Sequence, residues 1–241
     1  MQASDRLGRI RVVLVRTSHP GNIGATARAM KTMGLSRLYL VSPLSFPDPV
    51  AEARASGAVD VLENAVVVNS LEQALEGTVY SAALTARRRE WAAPAAYVRE
   101  AVPELVVHAQ EGEVALVFGA ETSGLTNDEV LRCTVPVTVP ANPEYSSLNL
   151  GAAVQLLCYE CRIAAVEAPP LDETSRVLAT FDEVEGFHRH LDEAMVRSGF
   201  FKPDNPGRLH ARLRRLFGRV RLEREEVNIL RGILGALERK T

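Results

Sequence analysis

Residues 11–30 have the sequence RVVLVRTSHPGNIGATARAM, in which an apolar segment leads through a glycine-containing loop into a helical pattern. A strand, a loop and an amphipathic helix in this order form the repeating unit of folds with a parallel sheet. The alternation continues through the first two thirds of the chain and predicts strands at residues 10–15, 37–42, 65–68, 79–84, 114–118 and 134–139. The sequence therefore predicts an α/β fold with a largely parallel sheet.

Helical patterns lie between and after these strands. Asn22 is placed to cap a helix that stops at Gly34, because amide side chains favour the first position and glycine the last. Residues 94–110 form a second helical pattern that we expect to be bent or interrupted at Pro103. Residues 148–166 form a long apolar helix with few charges. Such a helix needs a large surface to pack against.

A change of composition marks a domain boundary. Residues 167–174, EAPPLDET, contain two prolines and several acidic residues, and everything beyond them has a helical pattern. We expect one domain over residues 1–166, a linker over 167–174 and a small all-helical domain over 175–241.

The overall composition is typical of a globular protein, with 46% hydrophobic and 24% charged residues. The first residues become charged before an apolar segment develops, so a cytoplasmic location with no membrane contact is expected. The chain has three cysteines, an odd number that does not suggest a disulfide framework. Cys158 and Cys161 form a C-x-x-C inside an apolar helical pattern and are expected to be buried.

A cluster of positive charge lies near the end of the chain. Between Pro206 and Arg221 there are six arginines and no acidic residue, although the formal net charge of the whole chain is −2. One interpretation is a phosphate-binding surface on RNA-binding residues Arg208, Arg212 and Arg215. The other is a solvated helix face. The sequence alone leaves both open.

The loop of the opening segment has a superficial likeness to a dinucleotide-binding turn. Its glycines have the spacing G-x-x-G, six residues from Arg16 to Gly21 intervene after the strand, and the second strand ends without an acidic residue. These departures argue against a nicotinamide cofactor. The same loop places Asn22, Gly24 and Arg28 in an N-x-G-x-x-x-R arrangement, which a helix cap and a surface arginine would also produce.

Two further loops follow predicted strands. In residues 114–126, VALVFGAETSGLT, Gly119, Glu121 and Gly124 follow a buried strand, and residues 137–155, VTVPANPEYSSLNLGAAVQ, join another strand to the long apolar helix. In parallel sheets the carboxyl ends of the strands are where ligands bind. The alternatives are a simple glycine turn and a helix capped by Ser146 or Ser147.

Taken in order, NIGATAR (22–28), FGAETSGL (118–125) and PANPEYSSLNLG (140–151) resemble the three motifs of the SpoU branch of the SPOUT methyltransferases. The stretches RTSHPGNIGATARAMKTMG (16–34) and VNILRGIL (227–234) resemble bacterial members that methylate the 2′-oxygen of cytidine or uridine 32 in tRNA. The resemblance covers nearly the whole chain. It implies a SPOUT (α/β knot) fold with a deep trefoil knot near the end of the first domain, S-adenosylmethionine as cofactor, no metal and a homodimer.

The resemblance also assigns site residues. The cofactor would be held by Leu84, Thr85, Ala86, Gly119, Val139, Ser146, Ser147 and Leu148. Catalysis would involve Arg28, with Asn22, Glu121 and Asn149 as positioning groups. Because arginine is a poor base, with a pKa above about 12, Arg28 is expected to act electrostatically on the ribose oxygen and a phosphate.

One position departs from the family pattern. The second motif often carries arginine before its glutamate, whereas this chain has Ala120. The neighbouring cluster of Arg87, Arg88 and Arg89 could compensate as RNA-binding residues, or be solvated. Methylation of another RNA, such as ribosomal RNA, and an RNA-binding protein without catalysis are the alternative functions.

Overall fold

The computed structural model describes residues 1–86, 94–168, 177–201 and 208–238. Within these ranges the strands are β1 (Ile10–Val15), β2 (Arg37–Val41), β3 (Val66–Val68), β4 (Thr78–Leu84), β5 (Ala96–Tyr97), β6 (Glu113–Phe118) and β7 (Val135–Thr138). They form one sheet in the order β3-β2-β1-β6-β4-β7-β5, and each neighbouring pair is parallel. The predicted α/β fold with a parallel sheet is confirmed.

The helices of the described residues pack on this sheet or follow it along the chain. They are α1 (Ala3–Leu7), α2 (Pro20–Met33), α3 (Pro49–Ala55), α4 (Val59–Glu63), α5 (Leu71–Leu75), α6 (Val98–His108), α7 (Asn127–Arg132), α8 (Leu150–Glu167), α9 (Phe181–Arg197), α10 (Leu209–Gly218) and α11 (Arg224–Glu238). None of them is long and apolar enough to cross a membrane.

Apolar side chains cover both faces of the sheet. On one face α2, α6 and α8 bury residues such as Met30, Leu105 and Leu157, and on the other α5 and α7 bury Leu75 and Val130. A strand with both faces covered is largely apolar, which explains why every residue of β1 is buried and why the segment has no polar alternation. Its one charged residue, Arg11, is paired with Glu113. The long apolar helix predicted at 148–166 is α8, and the thiols of Cys158 and Cys161 are buried in it, as expected.

The helix boundaries differ from the predicted ones in detail. The cap of α2 is His19, whose Nδ1 accepts a hydrogen bond of 3.0 Å from the Gly21 N–H, so the assignment of Asn22 as the cap was wrong. Pro20 explains the earlier start, because its fixed φ suits the first helical position. The predicted stop at Gly34 is confirmed by its left-handed φ of 86°.

Two other helix predictions need correction. The residue that caps α8 is Asn149, whose Oδ1 accepts from the Ala152 N–H at 3.3 Å, and not Ser146 or Ser147. The helix α6 begins at Val98 and runs on through Pro103 without interruption.

The helices α9, α10 and α11 and the segments that flank them enclose a small apolar cluster of their own, formed by Ala179, Phe187, Leu222 and Val227. We call these three helices the appendage. Of the predicted linker 167–174, Glu167 is the last residue of α8 and residues 169–174 lie outside the described residues. The division into domains at these bounds and the trefoil knot stay predictions.

Candidate functional site

The carboxyl ends of β4, β6 and β7 surround a cavity of about 400 Å³. This volume lies in the range of ligand-binding pockets. The eight residues predicted to hold the cofactor all line it: Leu84, Thr85, Ala86, Gly119, Val139, Ser146, Ser147 and Leu148. The sequence interpretation missed other lining residues, among them Phe118, Thr138, Glu144 and Tyr145. The structure therefore brings the second and third motifs together around one cavity.

The wall of the cavity formed by the second motif depends on glycine. A Cβ atom on Gly119 would lie 2.1 Å from the backbone carbon of Gly124, a distance that no real side chain tolerates. Gly124 has a left-handed φ of 67°, and its N–H donates to the Ala120 oxygen at 2.8 Å. The chain thus folds back on itself at Gly119, and the backbone forms the cavity wall directly.

Glu121 connects the second motif to the first. Its carboxylate accepts hydrogen bonds from the Ser18 N–H at 3.0 Å, the Ser18 hydroxyl at 2.9 Å and the His19 N–H at 3.2 Å. It also accepts from Asn22 Nδ2 at 2.8 Å. Three donors from the loop before α2 and one from the first turn of α2 converge on this carboxylate, so Glu121 fixes the start of this helix.

The third motif joins the same network. Asn149 Nδ2 donates to Asn22 Oδ1 at 3.3 Å, while Asn149 Oδ1 caps α8. The side chain of Asn22 therefore lies between the carboxylate of Glu121 and the amide of Asn149. Its Nδ2 donates to the first and its Oδ1 accepts from the second, as the chemistry of an amide requires. We call Asn22, Glu121 and Asn149 the motif hub. The structure brings these three predicted residues into contact with one another.

The environment of Glu121 favours its charged form. Partial burial by itself would raise its pKa, but the hydrogen bonds from Ser18, Asn22 and His19 outweigh burial and lower the pKa to about 2. The carboxylate is therefore ionised at neutral pH and suited to holding donors, and it is not poised to accept a proton.

Arg28 lies in the second half of α2, outside the motif hub. Its side chain is exposed, and its guanidinium has no hydrogen-bond or ion-pair partner among the residues that the structure describes. One turn earlier, Gly24 packs against α3 so closely that a Cβ there would lie 2.1 Å from the Ala51 oxygen. Close packing at Gly24 holds the helix in place, while the side chain of Arg28 is exposed.

A contact between the segments next to the first two motifs was missed from the sequence. Arg16 directly follows β1 with a left-handed φ of 52°, and its guanidinium forms a two-pronged ion pair with Glu129. Glu129 in turn accepts from the Thr126 N–H at 2.7 Å, in a capping box at the start of α7. The T-x-x-E pattern at 126–129 is a sequence signal for that cap. No sequence signal indicates the ion pair.

The arginine cluster near the end of the chain separates into two sets. Arg214 pairs with Glu185 and Arg221 with Glu104, so these two are held by carboxylates of the same chain. The predicted RNA-binding residues Arg208, Arg212 and Arg215 lie along α10 and do not meet the cavity lining. Arg87 and Arg88, also predicted to bind RNA, lie outside the described residues, as does Arg89.

Comparisons with known proteins match both parts of the chain. The model of the SpoU rRNA Methylase family matches residues 9–159, and that of the tRNA methyltransferase TrmJ C-terminal domain matches residues 182–241.

Relatives match nearly end to end. The chain is 49% identical over 238 residues to the tRNA (cytidine/uridine-2′-O-)-methyltransferase TrmJ of Pectobacterium atrosepticum, covering 97% of this chain and 98% of that one. It is 50% identical over 239 residues to the tRNA (cytidine/uridine/adenosine-2′-O-)-methyltransferase TrmJ of Pseudomonas aeruginosa, covering 95% and 93%. The crystal structure of TrmJ from Z. mobilis ZM4 superposes with a TM-score of 0.83 at 35% identity, covering 95% of this chain and 98% of that one.

Proposed function

Because the chain belongs to the SpoU rRNA Methylase family, we propose that it is an enzyme that methylates the ribose 2′-oxygen of cytidine or uridine in tRNA. The substrate class rests on the match of residues 182–241 to the TrmJ C-terminal domain and on the names of the relatives. Position 32 in the anticodon loop is the specific target we expect. The observation that carries the proposal is the meeting of all three motifs at one edge of the sheet, beside a ligand-sized cavity.

The cavity suits S-adenosylmethionine. Phe118, Val139 and Leu150 offer apolar surface for an adenine ring, and the bare backbone at Gly119 allows a ligand to approach the main chain closely. Ser146 and Ser147 add polar side chains at the rim. When bound, this cofactor supplies a methyl group on a positively charged sulfur.

Arg28 acts on the ribose. Its unpaired guanidinium can bind a phosphate of the substrate and stabilise negative charge that develops on the 2′-oxygen as the hydroxyl proton leaves. An arginine keeps its own proton at neutral pH, so this role is electrostatic and positional.

The motif hub holds the reacting groups in alignment. Glu121 fixes the loop before α2, and Asn22 and Asn149 tie the start of α2 to the start of α8. Arg28 lies on α2, and Leu148 of the cavity precedes α8, so the hub sets the position of Arg28 relative to the cavity. Alignment of this kind is a main source of rate in a displacement reaction.

The protein acts as a homodimer in this proposal. The outer face of α8 exposes Tyr159, Ile163 and Val166, with 46%, 38% and 65% of their surface accessible. These side chains lie on one side of the helix and give a second copy an apolar surface next to the third motif.

The direct test is incubation of the protein with S-adenosylmethionine labelled in its methyl group and with total tRNA from a strain that lacks the corresponding gene. We expect labelled tRNA in which a single phosphodiester resists alkaline hydrolysis, because a methylated 2′-oxygen cannot attack it. Mass spectrometry of nuclease fragments should place the methyl group at position 32. A parallel incubation uses ribosomal RNA from the same strain, and label there with none on tRNA would assign the substrate to that class. Binding of tRNA and cofactor without any label would favour a non-catalytic RNA-binding protein.

A further inference from the structure

Arg16 has a backbone conformation that residues with a Cβ rarely adopt. It directly follows β1, and its φ of 52° lies in the left-handed region that glycine adopts freely. Because β1 is the neighbour of β6 in the parallel sheet, Arg16 lies at the edge where the cofactor cavity is. A strained conformation of this kind persists only where other contacts of the folded chain hold it, and such positions often serve a function.

The contact that holds Arg16 is its two-pronged ion pair with Glu129. The two terminal nitrogens of the guanidinium donate to the two carboxylate oxygens, Nη2 at a distance of 2.9 Å. Burial by itself would raise the pKa of Glu129, but the hydrogen bonds from Arg16 and Thr126 outweigh burial and lower this pKa. The carboxylate is therefore charged at neutral pH, and the planar geometry of the pair fixes the direction of both side chains.

Glu129 also binds the residue that precedes α7. Its carboxylate accepts from the Thr126 N–H at 2.7 Å, and its own N–H donates to the Thr126 hydroxyl at 3.2 Å. Thr126 directly follows residues 119–125, all of which line the cofactor cavity, and we call these seven residues the cavity segment. Arg16 therefore holds, through Glu129, the point at which the cavity segment ends.

The cavity segment is also held near its beginning by the same part of the chain. Glu121 accepts hydrogen bonds from Ser18, which lies two residues after Arg16. Leu125 packs in the core at the far end of the segment, but an apolar contact has no preferred direction. The ion pair of Arg16 does have one, so it sets the orientation in which the cavity segment meets α7.

From these contacts we infer that Arg16 is a positioning residue for the cofactor, which acts through Glu129 to keep the cavity segment in the shape that binds S-adenosylmethionine. Arg16 is not one of the residues that line the cavity, so its effect on the cofactor is indirect. The inference rests on the proposed function, since it concerns the cofactor of that reaction. It assigns a share of the cofactor affinity to an ion pair that lies outside all three motifs.

The test uses Arg16→Gly, because glycine removes the side chain and suits the left-handed φ. Arg16→Ala removes the same side chain and keeps a Cβ, so it controls for a change in the backbone. The matched control, Arg37→Ala, removes an arginine that also pairs with a glutamate and is 37% exposed, compared with 43% for Arg16. Arg37 begins β2, at the edge of the sheet opposite to the cavity, and its partner Glu113 keeps its hydrogen bond of 2.8 Å with Arg11.

We expect Arg16→Gly and Arg16→Ala to weaken the binding of S-adenosylhomocysteine, the demethylated cofactor, by about five- to tenfold in a calorimetric titration. Arg37→Ala should change this affinity by less than about twofold. The Tm of Arg16→Gly should stay within about 3 °C of that of the unaltered protein, because an exposed ion pair adds little stability and glycine relieves the backbone. In methyl transfer, the KM for S-adenosylmethionine should rise while kcat at saturating cofactor changes by less than about threefold.

Three results would overturn the inference: unchanged affinity in Arg16→Gly, full affinity in Arg16→Ala, or equal weakening in Arg37→Ala. Binding by the unaltered protein separates the inference from the proposed function. If the unaltered protein binds S-adenosylhomocysteine and Arg16→Gly binds it equally well, only the inference fails. If the unaltered protein neither binds S-adenosylhomocysteine nor methylates tRNA, the proposed function fails.

Discussion

The carboxylate of Glu121 accepts a hydrogen bond of 2.8 Å from the side-chain amide of Asn22, although 99 positions separate the two residues along the chain. This bond, with that from Asn149 to Asn22, joins three segments that follow different strands. These segments can therefore hold Arg28 and the cavity in a fixed relationship.

We predict that Glu121→Gln lowers kcat for methyl transfer by roughly 10- to 100-fold, while cofactor affinity changes little. The four donors that converge on Glu121 need acceptors, and a glutamine would present its own N–H groups to some of them. Single-turnover transfer and equilibrium binding of S-adenosylhomocysteine measure the two quantities. A variant with unchanged kcat would show that the hub does not position the reacting groups.

Gly119→Ala should weaken cofactor binding and destabilise the fold by roughly 1–3 kcal/mol, because the new methyl group would collide with the backbone of Gly124. Gly57→Ala is the matched control, since a Cβ at Gly57 would meet nothing within 4 Å. Thermal unfolding and cofactor titration of the two variants should differ clearly. Equal behaviour would mean that the loop at Gly119 is free to open.

The attachment of the appendage should depend on pH through His188. Burial, followed by the charge of Arg214, lowers the pKa of His188 from 6.5 to about 4. Between these values the unfolded chain binds a proton that the folded chain excludes, so stability is full above pH 6.5 and falls as the pH drops toward 4. His188→Phe should flatten the fall of Tm between pH 6.5 and 5. A parallel decline in both proteins would assign the pH dependence to other groups.

Glu185→Ala should destabilise the protein by roughly 1–3 kcal/mol, because it removes the shared acceptor of Arg132 and Arg214 at a partly buried site. Replacing the pair together, as Glu185→Leu/Arg214→Leu, should cost less than the single change, since Arg214 is then not left as an unpaired half-buried charge and Arg132 keeps its ion pair with Glu72. Denaturant unfolding of the single and double variants gives the comparison. A double variant less stable than the single one would contradict this account of the docking contact.

The fold followed from the pattern of apolar residues. Both faces of β1 are covered, so its sequence is apolar except for Arg11, and Gly34 takes the left-handed conformation that ends α2. The helix starts were harder to predict, since His19 and Asn149 are caps whose roles depend on where the preceding loops run in space. A sequence shows which residues can cap, and the tertiary structure selects among them.

The site was predicted through resemblance more than through local pattern. The eight cofactor positions share no spacing that would place them together, yet the topology of β4, β6 and β7 puts them around one cavity. The ion pair between Arg16 and Glu129 joins residues 113 positions apart, and no pattern in the sequence predicts it. The sequence could not show that Arg214 and Arg221 form ion pairs, because this depends on where Glu185 and Glu104 lie in the folded chain.

The most direct test of the central claim is methyl transfer to full-length tRNA by Arg28→Ala, with Arg189→Ala as the control for loss of an exposed arginine. Neither side chain has a partner in the described residues, so both variants should keep the Tm and the cofactor affinity of the unaltered protein. The account predicts that Arg28→Ala loses roughly 100- to 1000-fold in kcat while the control retains full activity. Full activity in Arg28→Ala would contradict the assignment of this edge of the sheet as the site of ribose methylation.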